Sequence, residues 1–253
     1  MTVWPSLVPR GQPARRAQML RAQTRTELTL LLRNGEQVLL TLVIPLGLLV
    51  ILSTVPIINV TGRRVDFFVP GVLALAVMSA AFTGQAIGTG FERQYGVLKR
   101  LGATPLPRSV LLLAKTSAVL LVEVLQVTLI CLVGLLLGWH PHGNVLGVIA
   151  FIALGTAAFS GLGLLLGGTL RGLTTLAAAN LLWFVLLSVG GIVYPLSELG
   201  GAQDVLRRLP TAALSDGLRQ LLQHGAFAGW DLLALALWAV AGLATASRLF
   251  RWE

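Results

Sequence analysis

Six apolar runs, each close to the length of a membrane-crossing helix, leave this chain little choice of fold. They lie near residues 37–58, 67–89, 110–137, 145–169, 174–194 and 231–247. A bilayer core is crossed by about 20 apolar residues in a helix. The runs are continuous and rich in Leu and Val, unlike the alternating ten-residue segments of an outer-membrane barrel. Only 11% of the 253 residues are charged, against about a quarter in an ordinary soluble domain. The expected fold is an all-α polytopic membrane protein with six transmembrane helices.

The charge distribution sets an orientation. With six spans and an inward N-terminus, the inner segments carry 14 of the 19 Lys and Arg against four acids, Glu27, Glu36, Glu92 and Glu253. The outer loops carry five Arg and five acids. Short cytoplasmic loops are enriched in Lys and Arg, so both termini are expected inside. The net charge of +9 is then a topology signal and a match to anionic lipid headgroups, which argues against a nucleic-acid partner.

Two domains of unequal size are expected. Residues 1–36 form an irregular tail (Trp4, Pro5, Pro9, Gly11, Pro13) followed by an amphipathic helix. In it Met19, Leu20, Leu28, Leu31 and Leu32 lie among Arg15, Arg16, Arg21, Arg25 and Arg33. Such a helix suits the inner headgroup layer, apolar side down and Arg stems snorkelling. No apolar signal-peptide region precedes residue 37, so the first span is expected to target itself. Residues 37–253 form the six-span domain. Pro45, Pro56 and Pro70 are expected to bend its first two spans. Three GxxxG pairs (Gly84 and Gly88, Gly134 and Gly138, Gly163 and Gly167) favour close helix packing.

Two loops carry pattern. Between spans two and three, Glu92-Arg93, Gly96, Leu98, Leu101 and Thr104-Pro105 read as a short amphipathic helix over about 92–101 with a defined stop. Lys99, Arg100, Arg108 and Lys115 make this loop basic. A short helix held at the cytoplasmic face by two spans suits contact with a cytosolic partner. Residues 195–229 place Val205, Leu206, Leu209, Leu214, Leu218, Leu221 and Leu222 at helical spacing, broken by Pro210. Two short helices are expected, on the outer face or re-entrant against protein.

Chemistry-bearing residues are few. No GxxxxGK[ST] loop is present, nor GxSxG, nor HExxH. His140 and His142 sit in a short outer turn with no carboxylate or thiol near in sequence, as ordinary turn residues do. Cys131, alone and within a span, reads as a packing residue. Glu123 is the acid placed inside a span, with Gln126 on the same face, and Asn180 in the fifth run reads as a second buried polar group. A buried carboxylate must be paired, protonated or facing water. Glu123, Gln126 and Asn180 are thus candidates either for a substrate path or for interhelical hydrogen bonds.

The run Glu92-Arg93, Gly96, Leu98, Leu101, Thr104-Pro105, Arg108 and Lys115 resembles the signature of ABC-2 type permeases, the membrane subunits of ABC exporters. Val97 stands where Thr is frequent. The stretch from Gly190 to Pro195, then Leu209-Pro210 and Gly217-Leu218-Arg219, is similar to the family's second half, and the likeness spans about 15–250. The family includes antibiotic and drug efflux permeases of actinobacteria. The resemblance implies a coupling helix at Glu92, Arg93, Gly96, Leu98, Lys99, Arg100 and Leu101 that docks on a separate ABC ATPase. Leu98 and Leu101 would supply apolar contact; Arg93, Lys99 and Arg100 would supply charge. It also implies a second permease copy, identical or related, and a bacterial plasma-membrane location. ATP and Mg would be used by the ATPase, with no cofactor on this chain. Outward movement of a hydrophobic drug, antibiotic or lipid follows from the likeness. A non-transporting scaffold using the same loop, and an ion-coupled carrier using Glu123, remain rival readings.

Overall fold

A computed structural model describes residues 14–56, 60, 62–194, 201 and 203–250. The tail before residue 14, Pro195 and Glu198 of the outer loop, and Arg251 and Glu253 lie outside the described residues. Helix is the regular secondary structure throughout the described residues. It comprises α1 (Arg16–Arg33), α2 (Gly35–Thr54), α3 (Arg64–Val77), a π-helical segment (Met78–Gly84), α4 (Gln85–Gln94), α5 (Val97–Gly102), α6 (Arg108–Leu136), α7 (Val145–Thr169), α8 (Gly172–Val189), α9 (Gln203–Leu206), α10 (Pro210–His224) and α11 (Gly229–Leu249).

Five helices among the described residues are long and apolar enough to cross a membrane: Arg64–Gln94, α6, α7, α8 and α11. A shorter apolar helix, Thr41–Thr54, is the C-terminal part of α2. With α2 counted, six traverses alternate in direction, so one end of the bundle carries α1 and α5 and the other carries α10. Several boundaries differ from the sequence reading. Pro45 lies within α2, but that helix stops at Thr54 and Pro56 falls beyond it. The second traverse is a 31-residue helix from Arg64 to Gln94. It therefore includes Glu92 and Arg93, which the sequence pattern assigns to the loop helix.

Helix α7 organises the bundle through its glycines. A Cβ on Gly161 would meet the carbonyl carbon of Gly242 and the amide of Leu243 in α11 at 2.6 Å. On its other side, a Cβ on Gly163 would lie 2.6 Å from Phe82 O in the π-helical segment. Gly167 meets the α4 backbone at Ala86 O just as closely, at 2.5 Å. Helices approach to backbone contact only where side chains are absent, so this GxxxG pair packs as the sequence implies. Of the other two pairs, Gly134 also makes a close contact, where a Cβ would lie 2.9 Å from Val69 Cγ2 of α3. Gly138 adopts φ +84° and ends α6, a conformation that strains any residue with a Cβ. Gly88 has open space around it among the described residues.

The main core forms around α3 and the π-helical segment, with Phe68, Leu73, Met78, Phe151 and Phe159 fully buried. The outer loop folds inward: α10 buries Leu214, Leu218, Leu221 and Leu222 against α3, α7 and α11. The apolar side of α10 is thus covered by protein. Pro210 is tolerated at the first turn, where its missing N–H has no helical partner. Ser215 Oγ donates to Gly190 O (2.8 Å) and Arg219 Nη2 to Gly191 O (3.0 Å), tying α10 to the end of α8. Arg219 also pairs with Asp216 (2.9 Å) and lies 4.0 Å over the Phe67 ring. Burial pushes the Asp216 carboxyl up and the Arg219 guanidinium down, each partly offset by the other.

Substituting Gly161 by Ala forces α7 from α11 and is expected to cost about 1–3 kcal/mol as overpacking does. Gly47→Ala, where a Cβ meets nothing within 4 Å, is expected to be neutral or slightly stabilising. Thermal unfolding of the two purified variants checks the contrast.

Candidate functional site

The α5 end of the bundle gathers most of the sequence-predicted residues, in an arrangement the sequence does not reveal. Residues 92–101 are not one helix. Glu92 and Arg93 close α4, the chain turns at Tyr95, and Gly96 opens α5 with φ +71°. That left-handed value is what glycine permits without strain, so Gly96 sets the angle between the long traverse and α5. Arg93 Nη1 donates to Leu170 O (3.2 Å) in the α7–α8 turn, which fixes the end of α4 to a second loop.

Leu98 is fully buried, in a second small core with Leu111, Leu112, Leu164, Ala246 and Phe250. Leu101 is half-buried against the same cluster. The family resemblance has these two leucines facing a partner; the structure turns Leu98 into its own chain. An i, i+3 apolar pair signals one buried face, and cannot say what buries it. Burial of Leu98 stabilises the seat of α5 by about 2 kcal/mol. The face left outward carries Tyr95, Val97, Lys99 and Arg100, all exposed.

Just inside this helix lies a buried ion triad. Lys115 Nζ on α6 donates to Glu27 Oε2 on α1 (2.9 Å) and to Glu92 Oε1 on α4 (2.7 Å). The Lys115 and Glu27 side chains are over nine-tenths buried and Glu92 about three-quarters. Gln23 Nε2 adds a bond to the remaining oxygen of Glu27 (2.8 Å). The triad thus joins the N-terminal helix, the second traverse and the third. Sequence reasoning counts Glu27 and Lys115 as topology charges and places Glu92 on a partner. One signal is available: Lys115 interrupts the apolar run from Val110 to Val122, and a cation there needs a partner. The amphipathic reading of α1 holds as a helix, but its inner stripe centres on Glu27 and packs on α6.

The candidates for a substrate path separate. Glu123 and Gln126 are buried within the bundle. The Thr156 hydroxyl of α7 donates to Glu123 Oε2, and Gln126 Nε2 donates to Thr41 O of α2 (3.0 Å). Both tie helices together. Asn180 is exposed on α8, beside Leu181 and Phe184, which are also exposed. The sequence reading of a buried Asn180 is corrected: only tertiary packing decides which side of an all-apolar helix is inward. In the outer turn, Arg63 Nη1 lies 3.3 Å from His140 Nδ1, and no cluster of metal-binding side chains occurs among the described residues.

Lys115→Met strands two buried carboxylates and is expected to destabilise the protein by about 3–5 kcal/mol. Adding Glu27→Gln and Glu92→Gln removes the stranded charge, and folded yield in detergent is expected to recover. Separately, Leu98→Ala is expected to cost about 2–5 kcal/mol by leaving a cavity, while Val97→Ala on the outward face stays within about 0.5 kcal/mol; unfolding midpoints measure both.

Comparison with known proteins gives this geometry a setting. The ABC-2 type transporter family matches residues 18–222, a stretch running from α1 through the triad and α5 to the end of α10. The chain is also 25% identical over 231 residues to YvfS of Bacillus subtilis (strain 168), which carries the name of a transport permease. That alignment covers 86% of this chain and 91% of the relative. With the family matched across most of its length and five helices fit to cross a membrane, the chain belongs to the ABC-2 type transporter family as a multi-pass permease subunit.

Proposed function

We propose that this chain is the membrane subunit of an ATP-driven exporter that moves a hydrophobic drug, antibiotic or lipid-like molecule outward, with ATP and Mg consumed by a separate subunit. Membership of the family implies association with an ABC ATPase. The observation that carries the docking assignment is the outward face of α5. It presents Tyr95 and Val97 beside Lys99 and Arg100, while Leu98 anchors the helix from below. A rigidly seated, basic and partly aromatic knob fits an apolar groove with an acidic rim. Glu92, Arg93 and Gly96 act behind that face, by holding α4 and setting the turn.

The basic excess of the α1 and α5 segments supports a cytoplasmic position for this end, in a bacterial plasma membrane. A second permease copy, identical or related, would pair through α8. The support is Asn180, a polar side chain exposed on an apolar helix face, where lipid offers no hydrogen bond and a facing helix does. Substrate would then pass along that pairing surface rather than past Glu123 and Gln126, which lie inside one subunit. The hydrophobic substrate class is supported by the apolar character of the exposed α8 face, with Leu173, Leu181 and Phe184.

The test is co-purification from mild detergent. Lys99→Glu with Arg100→Glu is expected to reduce the recovered ATPase about tenfold or more, since like charges across an interface cost several kcal/mol. The permease itself should remain folded, because neither side chain is buried. The isolated chain is expected to turn over no ATP. Wild-type chain that captures no ATPase, or that hydrolyses ATP alone, overturns the assignment.

A further inference from the structure

We propose that a cavity between α1, α2, the second traverse and α6 binds the hydroxyl end of a neutral aliphatic amphiphile, which donates a hydrogen bond to Gln85 Oε1. The binding does not depend on the transport reading above. The cavity measures about 80 Å³, and Gln85 is among the residues that line it. Gln85 is over nine-tenths buried. Its amide nitrogen donates to Ser160 Oγ of α7 (2.7 Å), while its oxygen lacks a hydrogen-bond partner among the described residues. A buried acceptor without a donor is costly, and the atom left for a ligand here accepts only. The ligand must therefore bring an O–H or N–H.

The rest of the lining selects against a charged head. Leu31 of α1, Ala80 of the π-helical segment, and Val119 and Val122 of α6 make much of the wall hydrocarbon. Its charged part is the triad, whose members already pair with one another. An ammonium head would meet the Lys115 ammonium, and a carboxylate head would meet Glu27 and Glu92. A neutral donor meets no like charge. Glu92 Oε2 is also without a hydrogen-bond partner, but its carboxylate is held by Lys115 through the other oxygen. It stands about two helical turns from Gln85, so one hydroxyl does not serve both.

The way in lies beside Gly88. This residue is exposed, one turn from Gln85, and a Cβ there would meet nothing within 4 Å. A water-sized group occupies roughly 30 Å³, so the cavity takes a hydroxyl with the carbon or two that carry it. The apolar tail passes out beside Gly88 to the surrounding lipid.

The experiment is photolabelling of the purified full-length protein with a diazirine-bearing octanol, in lauryldimethylamine oxide, a detergent without hydroxyls. Adducts read by peptide mass spectrometry are expected to concentrate on the segments carrying Val119 and Val122. Excess 1-octanol is expected to block them, and octyl methyl ether and octanoate are not. Gln85→Leu is expected to lower the labelling about tenfold. Gly88→Val, which fills the entrance, is expected to abolish it, whereas Gly47→Val, in open space elsewhere, keeps it. Blocking by dioleoylglycerol as well as by octanol assigns the hydroxyl to a membrane glyceride; blocking by octanol alone assigns it to a free alcohol. The inference fails if adducts spread evenly over the apolar helices, or if the ether or octanoate competes as well as octanol. It fails also if folded Gly88→Val labels as wild type does.

Discussion

Inside a bilayer no solvent repairs an unpaired charge or an open backbone group, and nearly every feature of this protein follows from that one constraint. Its sharpest expression is Lys115, an ammonium placed within the third traverse and answered by carboxylates from two other helices. Because each carboxylate comes from a different element, α1, α4 and α6 cannot separate without stranding a charge that is now buried in protein. The N-terminal helix, which by its pattern could rest anywhere on a headgroup layer, is thereby given one place.

The same constraint shapes the rest of the bundle through close contact rather than charge. Glycines on two sides of α7 bring α11 on one flank and the π-helical segment and α4 on the other to backbone distance. Polar side chains within the spans are spent on ties between helices: Glu123 with Thr156, Gln126 with the Thr41 carbonyl, Gln85 with Ser160 and Trp183 with Ser79. The π-helical segment at Met78–Gly84 sits at the centre of this packing, wider than an α-helix, and its Ala80 and Gly84 border a cavity of about 80 Å³ beside the triad. Wide turns of this kind recur at functional sites, and here the irregular turn, the cavity and the triad adjoin one another.

Between the two ends of the bundle there is a division of labour. One end is closed by α10, buried and latched through Arg219, Ser215 and Gln223 to the turns around it. The other end presents α5, seated by Leu98 and turned outward at Gly96. A force applied to α5 is met first by the second core, by the Arg93 contact to Leu170 O, and by the triad, so a partner docked there would act on several traverses together.

Membrane residence, the helical class and the existence of a special loop between the second and third traverses were legible in the chain itself, because apolar run length, charge asymmetry and a Gly-broken amphipathic pattern are local properties. Gly96, Thr104-Pro105 and Pro210 marked turns and helix starts for equally local reasons. What the sequence could not decide was which face of each apolar helix is inward. In a uniformly apolar helix the periodicity that sorts faces in soluble proteins is missing, so Asn180 reads as buried and is exposed, and Leu98 reads as outward and is buried. The same blindness hides the triad: Glu27, Glu92 and Lys115 are far apart in sequence, and only packing that excludes water turns three separate charges into one linked site.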